Sequence, residues 1–223
     1  MALCRMNPES PAQLGVAILA RAPVAGQAKT RLIAALGAEG AAALQHWLLQ
    51  RTVAMALAAS VGPVTLWCAG ELQHPVFASC RAQNVTLRPQ PEGTLGERML
   101  TALQASPATA GSLVIGTDCP ALRAADLRVA ALSLQHHDAV VFPAEDGGYV
   151  LIGMKAPIPE AFSAIDWGTD RVMAQTRARL RSLQCTWAEP LTLWDVDRPD
   201  DLARLFALCP DVQTAITAGR LPT

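Results

Sequence analysis

The chain has 223 residues, 51% of them apolar and 17% charged, with 18 basic against 19 acidic side chains. That composition excludes intrinsic disorder, which needs low hydrophobicity and high net charge, and a net charge of -1 lacks the basic excess of a general nucleic-acid binder. The length suffices for one large domain with a well-buried core.

Residues 1–13 read as a polar, proline-containing flexible tail, and residues 14–223 as a single domain without an internal linker or repeat. The apolar run from Leu14 to Ala20 is one strand long. It fits neither a signal peptide nor a membrane span, so a cytoplasmic location is expected. Cys4, Cys68, Cys80, Cys119, Cys185 and Cys209 form no CxxC pair. They are expected as small core residues in a reducing compartment.

Short apolar runs mark strands at 14–20, 64–68, 85–89, 112–116, 138–143 and 149–154. Several are continuously apolar, as strands covered on both faces must be. Between them, Leu44, Trp47, Leu48, Thr52, Met55 and Ala59 recur at helical steps within 40–59. Further helices are expected over 96–105, 124–134, 170–183 and 199–208, the last with Pro199 in its first turn. Strands alternating with helices imply a three-layer α/β/α sandwich with a mainly parallel sheet. The irregular segment 155–168 reads as an insertion covering the sheet edge. Ligands of such sheets bind outside the carboxyl ends of the strands, so chemistry is expected in the loops after residues 20, 89, 116, 143 and 154.

The first of these loops, ARAPVAGQAKTRL over 20–32, holds Arg21, Gly26, Lys29 and Arg31 and opens a helix. Free N–H groups and the positive dipole end make a helix start an anion site. Cations there oppose the dipole, so an anionic ligand would explain them; a solvated basic helix start is the alternative. The spacing is not that of a Walker loop.

The run A-x-x-P-V-x-G-x-x-K-T-R-L resembles the phosphate-binding loop of the nucleotide-diphospho-sugar transferase superfamily, the Rossmann-like glycosyltransferase-A fold. It looks closest to a bacterial glycosyltransferase-like family similar to 2-phospho-lactate guanylyltransferase, and the resemblance covers roughly residues 14–208. In SLVIGTDCPAL (112–122), Asp118 leaves the fourth strand where the superfamily's metal-binding acid stands. Magnesium seeks hard oxygen ligands, and Mg²⁺ or Mn²⁺ is the expected cofactor; capping the following turn is the other role open to Asp118. Many glycosyltransferases carry Asp-x-Asp here, whereas Thr117-Asp118-Cys119-Pro120 is more similar to the nucleotidyltransferase branch. In LWDVDRPDDLARL (193–205), Asp197 matches the second metal-binding acid, and Asp200 and Asp201 read as first-turn acids only.

QPEGTLGERM (90–99) resembles the superfamily loop that reads the base, which points to Gln90, Gly93 and Thr94; an ordinary turn before a helix is the alternative. PAEDGGYVLIG (143–153) resembles the family's E-D-G-G-Y segment beside the acceptor. That implies Asp146 as an acid or base and Gly147, Gly148 and Tyr149 at the acceptor, although Asp146-Gly147 is also a hairpin signal. Trp167 is a further candidate for the acceptor wall.

Lys29, Arg31, Asp118 and Asp146 are therefore the candidate catalytic residues. The expected activity is metal-dependent transfer from a nucleotide-activated substrate, favoured as nucleotidyl transfer to a small phosphorylated acceptor. Glycosyl transfer from a nucleotide-sugar, and a non-catalytic nucleotide-binding protein of the same fold, are the alternatives. The expected partners are a nucleotide or nucleotide-sugar and a small-molecule acceptor, with no nucleic acid and no membrane span; a homodimer is left open.

Overall fold

The computed structural model describes residues 13–217; most of the expected tail lies outside them. Strand β1 (Gly15–Arg21) shows how the core is organised. Successive side chains of a strand point to opposite faces. Val16, Ile18 and Ala20 therefore enter one apolar cluster and Ala17 the other.

Six more strands complete one sheet: β2 (Val64–Ala69), β3 (Thr86–Pro89), β4 (Ser112–Ile115), β5 (Ala139–Pro143), β6 (Tyr149–Met154) and β7 (Trp187–Ala188). Their order is β3-β2-β1-β4-β6-β5-β7. All neighbouring pairs are parallel except the two made by β6.

Helices cover both faces. On one side lie α1 (Ile33–Ala59), α2 (Pro75–Ala82) and α4 (Ala124–His136), which bury Leu49, Val53, Phe77, Leu127 and Leu134 against Ile18, Leu66 and Leu113. On the other lie α3 (Leu95–Gln104) and α5 (Val172–Ser182), which bury Met99, Leu103, Met173 and Leu180 against Ala17, Trp67 and Val114. A third cluster lies between the amino-terminal half of α1 and the end of the chain. Leu44 and Leu48 there meet Trp194, Val196, and Leu202 and Leu205 of α6 (Asp201–Leu208), with Val212 of α7 (Pro210–Thr217). The three-layer architecture is the one expected.

The six expected strands and five expected helices are present, but α2, α7 and β7 were not anticipated. These elements have 8, 8 and 2 residues, too short for periodicity to separate from loop. The first helix begins earlier than expected because the chain turns helical through Thr30–Leu32 and continues past a bend at Gly37, whose φ is 72°. The stretch Thr30–Ala59 is long and apolar enough to cross a membrane. Its apolar side chains pack on two of the clusters just described, a role that accounts for its composition.

Two expectations need correction. Because β6 runs against its neighbours, the loop after residue 154 lies at the opposite end of the sheet from the other candidate loops. The start of β6, at Tyr149, is what reaches the carboxyl end. The segment 155–168 does not cover a sheet edge: its turn Pro159–Phe162 buries Ala161 and Phe162 in the face shared with α3 and α5.

Leu48 is fully buried where α1 meets the carboxyl-terminal helices. Leu48→Ala is expected to cost about 3 kcal/mol, read from the urea midpoint at unchanged slope.

Candidate active site

A cleft of about 1390 Å³ opens where the carboxyl ends of β1, β4 and β5 meet the start of β6. The turn after β1 brings in Lys29, whose backbone is left-handed at φ 48°, a conformation uncommon outside glycine. Its side chain is only 4% exposed. The ammonium lies 2.9 Å from Asp118 Oδ1 and donates to the Val196 carbonyl at 2.5 Å. Asp118 follows β4, and its carboxylate also accepts from the Thr117 hydroxyl at 3.2 Å. The Gln45 amide donates to that hydroxyl at 3.2 Å. The Val196 N–H donates to the Asp118 carbonyl at 2.8 Å, so the late loop is fastened to the end of β4 by backbone as well. One residue further, Asp197 pairs with the Arg31 guanidinium. Each of the two expected metal-binding acids thus faces one of the two expected phosphate-binding cations, all at one corner of the cleft.

Two acids that the sequence left without a role belong to this corner. From Trp194 to Asp197, Trp194 and Val196 are buried, at 7% and 0% exposure, while Asp195 and Asp197 line the cleft together with an edge of Trp194. Burial, followed by the charges of Asp146 and Asp118, pushes the Asp195 carboxyl up to about 6. The alternation W-D-V-D was the available signal. Asp201 is more than a first-turn acid. Its Oδ2 accepts the N–H groups of Asp197 at 2.9 Å and Arg198 at 2.7 Å, fixing the backbone that carries Asp197.

The remaining candidates divide between the cleft wall and its supports. Arg21, Gln90, Asp146, Gly148, Tyr149 and Trp167 line the cleft; Gly26, Gly93, Thr94 and Gly147 do not. The Gln90 amide nitrogen donates to the Ala20 and Trp67 carbonyls, at 3.1 and 2.9 Å. Its N–H groups therefore tie β1 to β2 rather than projecting toward a base. Thr94 caps α3: its N–H and hydroxyl both meet Glu97, and the Glu97 N–H returns to its hydroxyl. The Asp146 carboxylate closes the hairpin turn by accepting the Gly148 N–H at 2.9 Å. Gly147 has a steric reason to be glycine, because a Cβ there would stand 2.1 Å from the Asp170 carbonyl oxygen.

Tyr149 lines the cleft, and its ring meets Trp167 edge-on at 6.3 Å. Its hydroxyl is buried, with the Thr176 side chain beside it, and burial raises its pKa. Trp167 also stacks on Phe162 at 6.4 Å and lies where a side chain at position 96 would stand; Gly96 makes room for the indole. Other cleft residues passed over in the sequence are Arg98 of α3 and Arg204 of α6. Arg204 pairs with Glu145 at 2.7 Å and lies 4.4 Å from the Trp194 ring centre.

Among the described residues the cysteines are free thiols, with Cys68, Cys80 and Cys119 buried. Burial pushes Cys68 and Cys119 up to about 12, and neither is poised as a nucleophile.

Residues 52–169 match the model of a family described as an uncharacterized protein conserved in bacteria (DUF2064). A 3-phospho-D-glycerate guanylyltransferase from Phenylobacterium zucineum (strain HLK1) is 31% identical over 180 residues, covering 78% of this chain and 82% of that protein. A provisionally named nucleotide-diphospho-sugar transferase from Desulfovibrio desulfuricans G20 superposes with a TM-score of 0.78 at 26% identity, over 93% of this chain and 98% of the other. The manganese complex of Rv0371c from Mycobacterium tuberculosis H37Rv shares the fold, with a TM-score of 0.52 at 18% identity over 88% and 99% of the two chains.

Asp195 gives the site a pH signature. The folded protein holds this proton more tightly than the unfolded chain does. The stability it contributes is therefore complete below about pH 3.8 and lost as the pH rises through about 6. In metal-free protein, Asp195→Asn is expected to raise stability by about 1 kcal/mol at pH 7.5 after allowance for solvent screening, or ~2–4 °C in Tm. The gain should vanish near pH 4, and thermal melts of both proteins across this range check it.

Proposed function

The chain belongs to the DUF2064 family, and from that premise we propose that it transfers a nucleotidyl group from a nucleoside triphosphate to a small phosphorylated acid. The observation that carries the reading is the corner where Lys29 meets Asp118 and Val196 while Arg31 meets Asp197. Two cations held by carboxylates at the mouth of a large cleft are set to exchange those partners for phosphate oxygens. Arg21 lines the same cleft and adds to the positive field.

In the proposed reaction an oxygen of the acceptor phosphate attacks the α-phosphorus of the triphosphate. The bond from that phosphorus to the bridging oxygen breaks, and pyrophosphate leaves. Lys29 and Arg31 stabilise the charge that builds on the phosphate oxygens, a contribution that is largely positioning and electrostatics. GTP is the first donor to test, since the 31%-identical relative is a guanylyltransferase. Gln90 lines the cleft while its amide N–H groups hold the ends of β1 and β2; its carbonyl oxygen faces the base, and Gly93 and Thr94 shape the loop behind it. The loop at Gly26 shapes the approach to the phosphates. The acceptor lies against Trp167 and the turn formed by Asp146, Gly147 and Gly148, with Asp146 as the nearby acid and the buried face of Tyr149 beneath.

The donor set suits a divalent cation. Asp118, Asp146 and Asp195 line one cleft, and the charges of Asp146 and Asp118 add to the burial that raises Asp195. The ligands are all oxygen, as Mg²⁺ or Mn²⁺ requires, and Asp118 and Asp197 would hold the ion. Bound there, it would supply positive charge to the phosphates.

A thermal-shift screen of nucleotides with and without Mg²⁺ tests the reading. GTP at a hundred times its Kd is expected to add about 2.7 kcal/mol, and turnover should release pyrophosphate. Stabilisation by a nucleotide-sugar with release of a nucleoside diphosphate would replace nucleotidyl by glycosyl transfer. Asp118→Asn is expected to lower kcat on the order of 100-fold while the protein stays folded; full activity in that variant would remove Asp118 from the site.

A further inference from the structure

The cleft has a second cationic position, and it lies in the opposite layer of the fold from the first. Lys29 and Arg31 enter from the α1 side of the sheet, where Leu49 and Val53 pack on Ile18 and Leu66. Arg98 enters from α3, whose Met99, Ala102 and Leu103 pack on Ala17, Trp67 and Val114 across the sheet.

Among the cleft cations Lys29, Arg31 and Arg204 each pair with a carboxylate, while Arg21, Arg98 and Arg198 do not; of these three, Arg98 is set apart by a buried side-chain nitrogen. The Nε of Arg98 is buried and meets no hydrogen-bond partner, and none of the ion pairs among the described residues includes this side chain. A buried donor left unmatched destabilises a fold, and natural chains retain such costs mainly at functional sites. Leu95, Arg98 and Met99 of α3 line the same cleft as Trp167.

We propose that Arg98 binds the carboxylate of the acceptor and makes the enzyme selective for phosphorylated acids over neutral phosphate esters. The inference rests on the nucleotidyl-transfer reading. The reacting phosphate has to reach the Lys29–Asp118 corner, where the triphosphate is held. The anion that Arg98 receives from the other layer is therefore a different one, on the same small molecule. A guanidinium is a planar fork that meets the two oxygens of a carboxylate with parallel hydrogen bonds.

The test compares two acceptors that share a phosphate and differ in the acid, 3-phospho-D-glycerate and glycerol 3-phosphate, with GTP and Mg²⁺. The wild-type protein is expected to favour the acid in KM on the order of 10- to 100-fold, the range of one hydrogen bond to a charged group. In Arg98→Met the preference should fall to about twofold or less, with the KM for GTP within about twofold of wild type. Arg98→Lys should recover part of it, since a point charge replaces the fork.

Arg98→Met is also expected to melt no lower than wild type, because the unmatched donor is gone. A lower melting temperature with the preference intact would make Arg98 a structural cation and overturn the proposal. A raised KM for GTP with unchanged acceptor preference would assign Arg98 to the triphosphate and equally overturn it. So would a wild-type protein that binds GTP but does not distinguish the two acceptors or uses neither. Failure to bind any nucleotide would instead bring down the broader reading.

Discussion

An ammonium group exposed by only 4% has to be met by oxygen, because water no longer does so. Lys29 finds that oxygen on Asp118, 89 residues away along the chain, and on Val196, 167 residues away. The first loop, the end of β4 and the late loop before α6 therefore converge on one nitrogen. The backbone bond from Val196 to Asp118 and the hydroxyl of Thr117 hold the acid from its other sides. Thr117 in turn leans on Gln45 of α1, which carries the constraint into the helix beneath. The left-handed backbone at Lys29 is the local strain that this arrangement sustains.

The rest of the cleft is arranged around that nitrogen. Asp195 and Asp197 face inward because Trp194 and Val196 are anchored in the apolar cluster below. Asp201 fixes the amides of residues 197 and 198, so α6 helps to set the position of the acid that precedes it. The opposite wall is built differently, from aromatic rings: Phe162 supports Trp167, and Trp167 meets Tyr149. One side of the cleft carries the ion pairs of Lys29 and Arg31, the other aromatic rings and the guanidinium of Arg98. A substrate carrying phosphates at one end and a compact acid at the other would complement both.

The sequence made β1, β2 and β4 legible because those strands are largely apolar and covered on both faces, and it made Lys29, Arg31, Asp118 and Asp197 legible because they stand beside strand ends. What it hid has physical causes. The reversed direction of β6 is a property of pairing, invisible in the apolar run YVLIGM. The buried hydroxyl of Tyr149 depends on how far α5 covers it, and a lone tyrosine after Gly-Gly reads equally well as exposed. Gln90 and Thr94 occupy positions where a base-reading role fits by resemblance, and the bonds of the Gln90 amide nitrogen to backbone carbonyls and of Thr94 to Glu97 could not be read from the sequence. Asp195 was legible in principle through the W-D-V-D alternation, but nothing in the chain announced that its neighbours Trp194 and Val196 were core.

The antiparallel placement of β6 has an effect on how such a protein can diversify. Parallel neighbours need a crossover of a dozen or more residues, so a change in one of their loops disturbs a helix that packs on the sheet. The turn from Pro143 to Tyr149 is instead a local hairpin, closed by bonds between Ala144 and Gly148 and between Gly147 and Ala144. It is also tied outward, by the Glu145 N–H to the Leu193 carbonyl and by the Met173 N–H to the Gly147 carbonyl, so an edit of a few consecutive codons there would reshape one wall of the cleft without breaking a crossover between parallel strands.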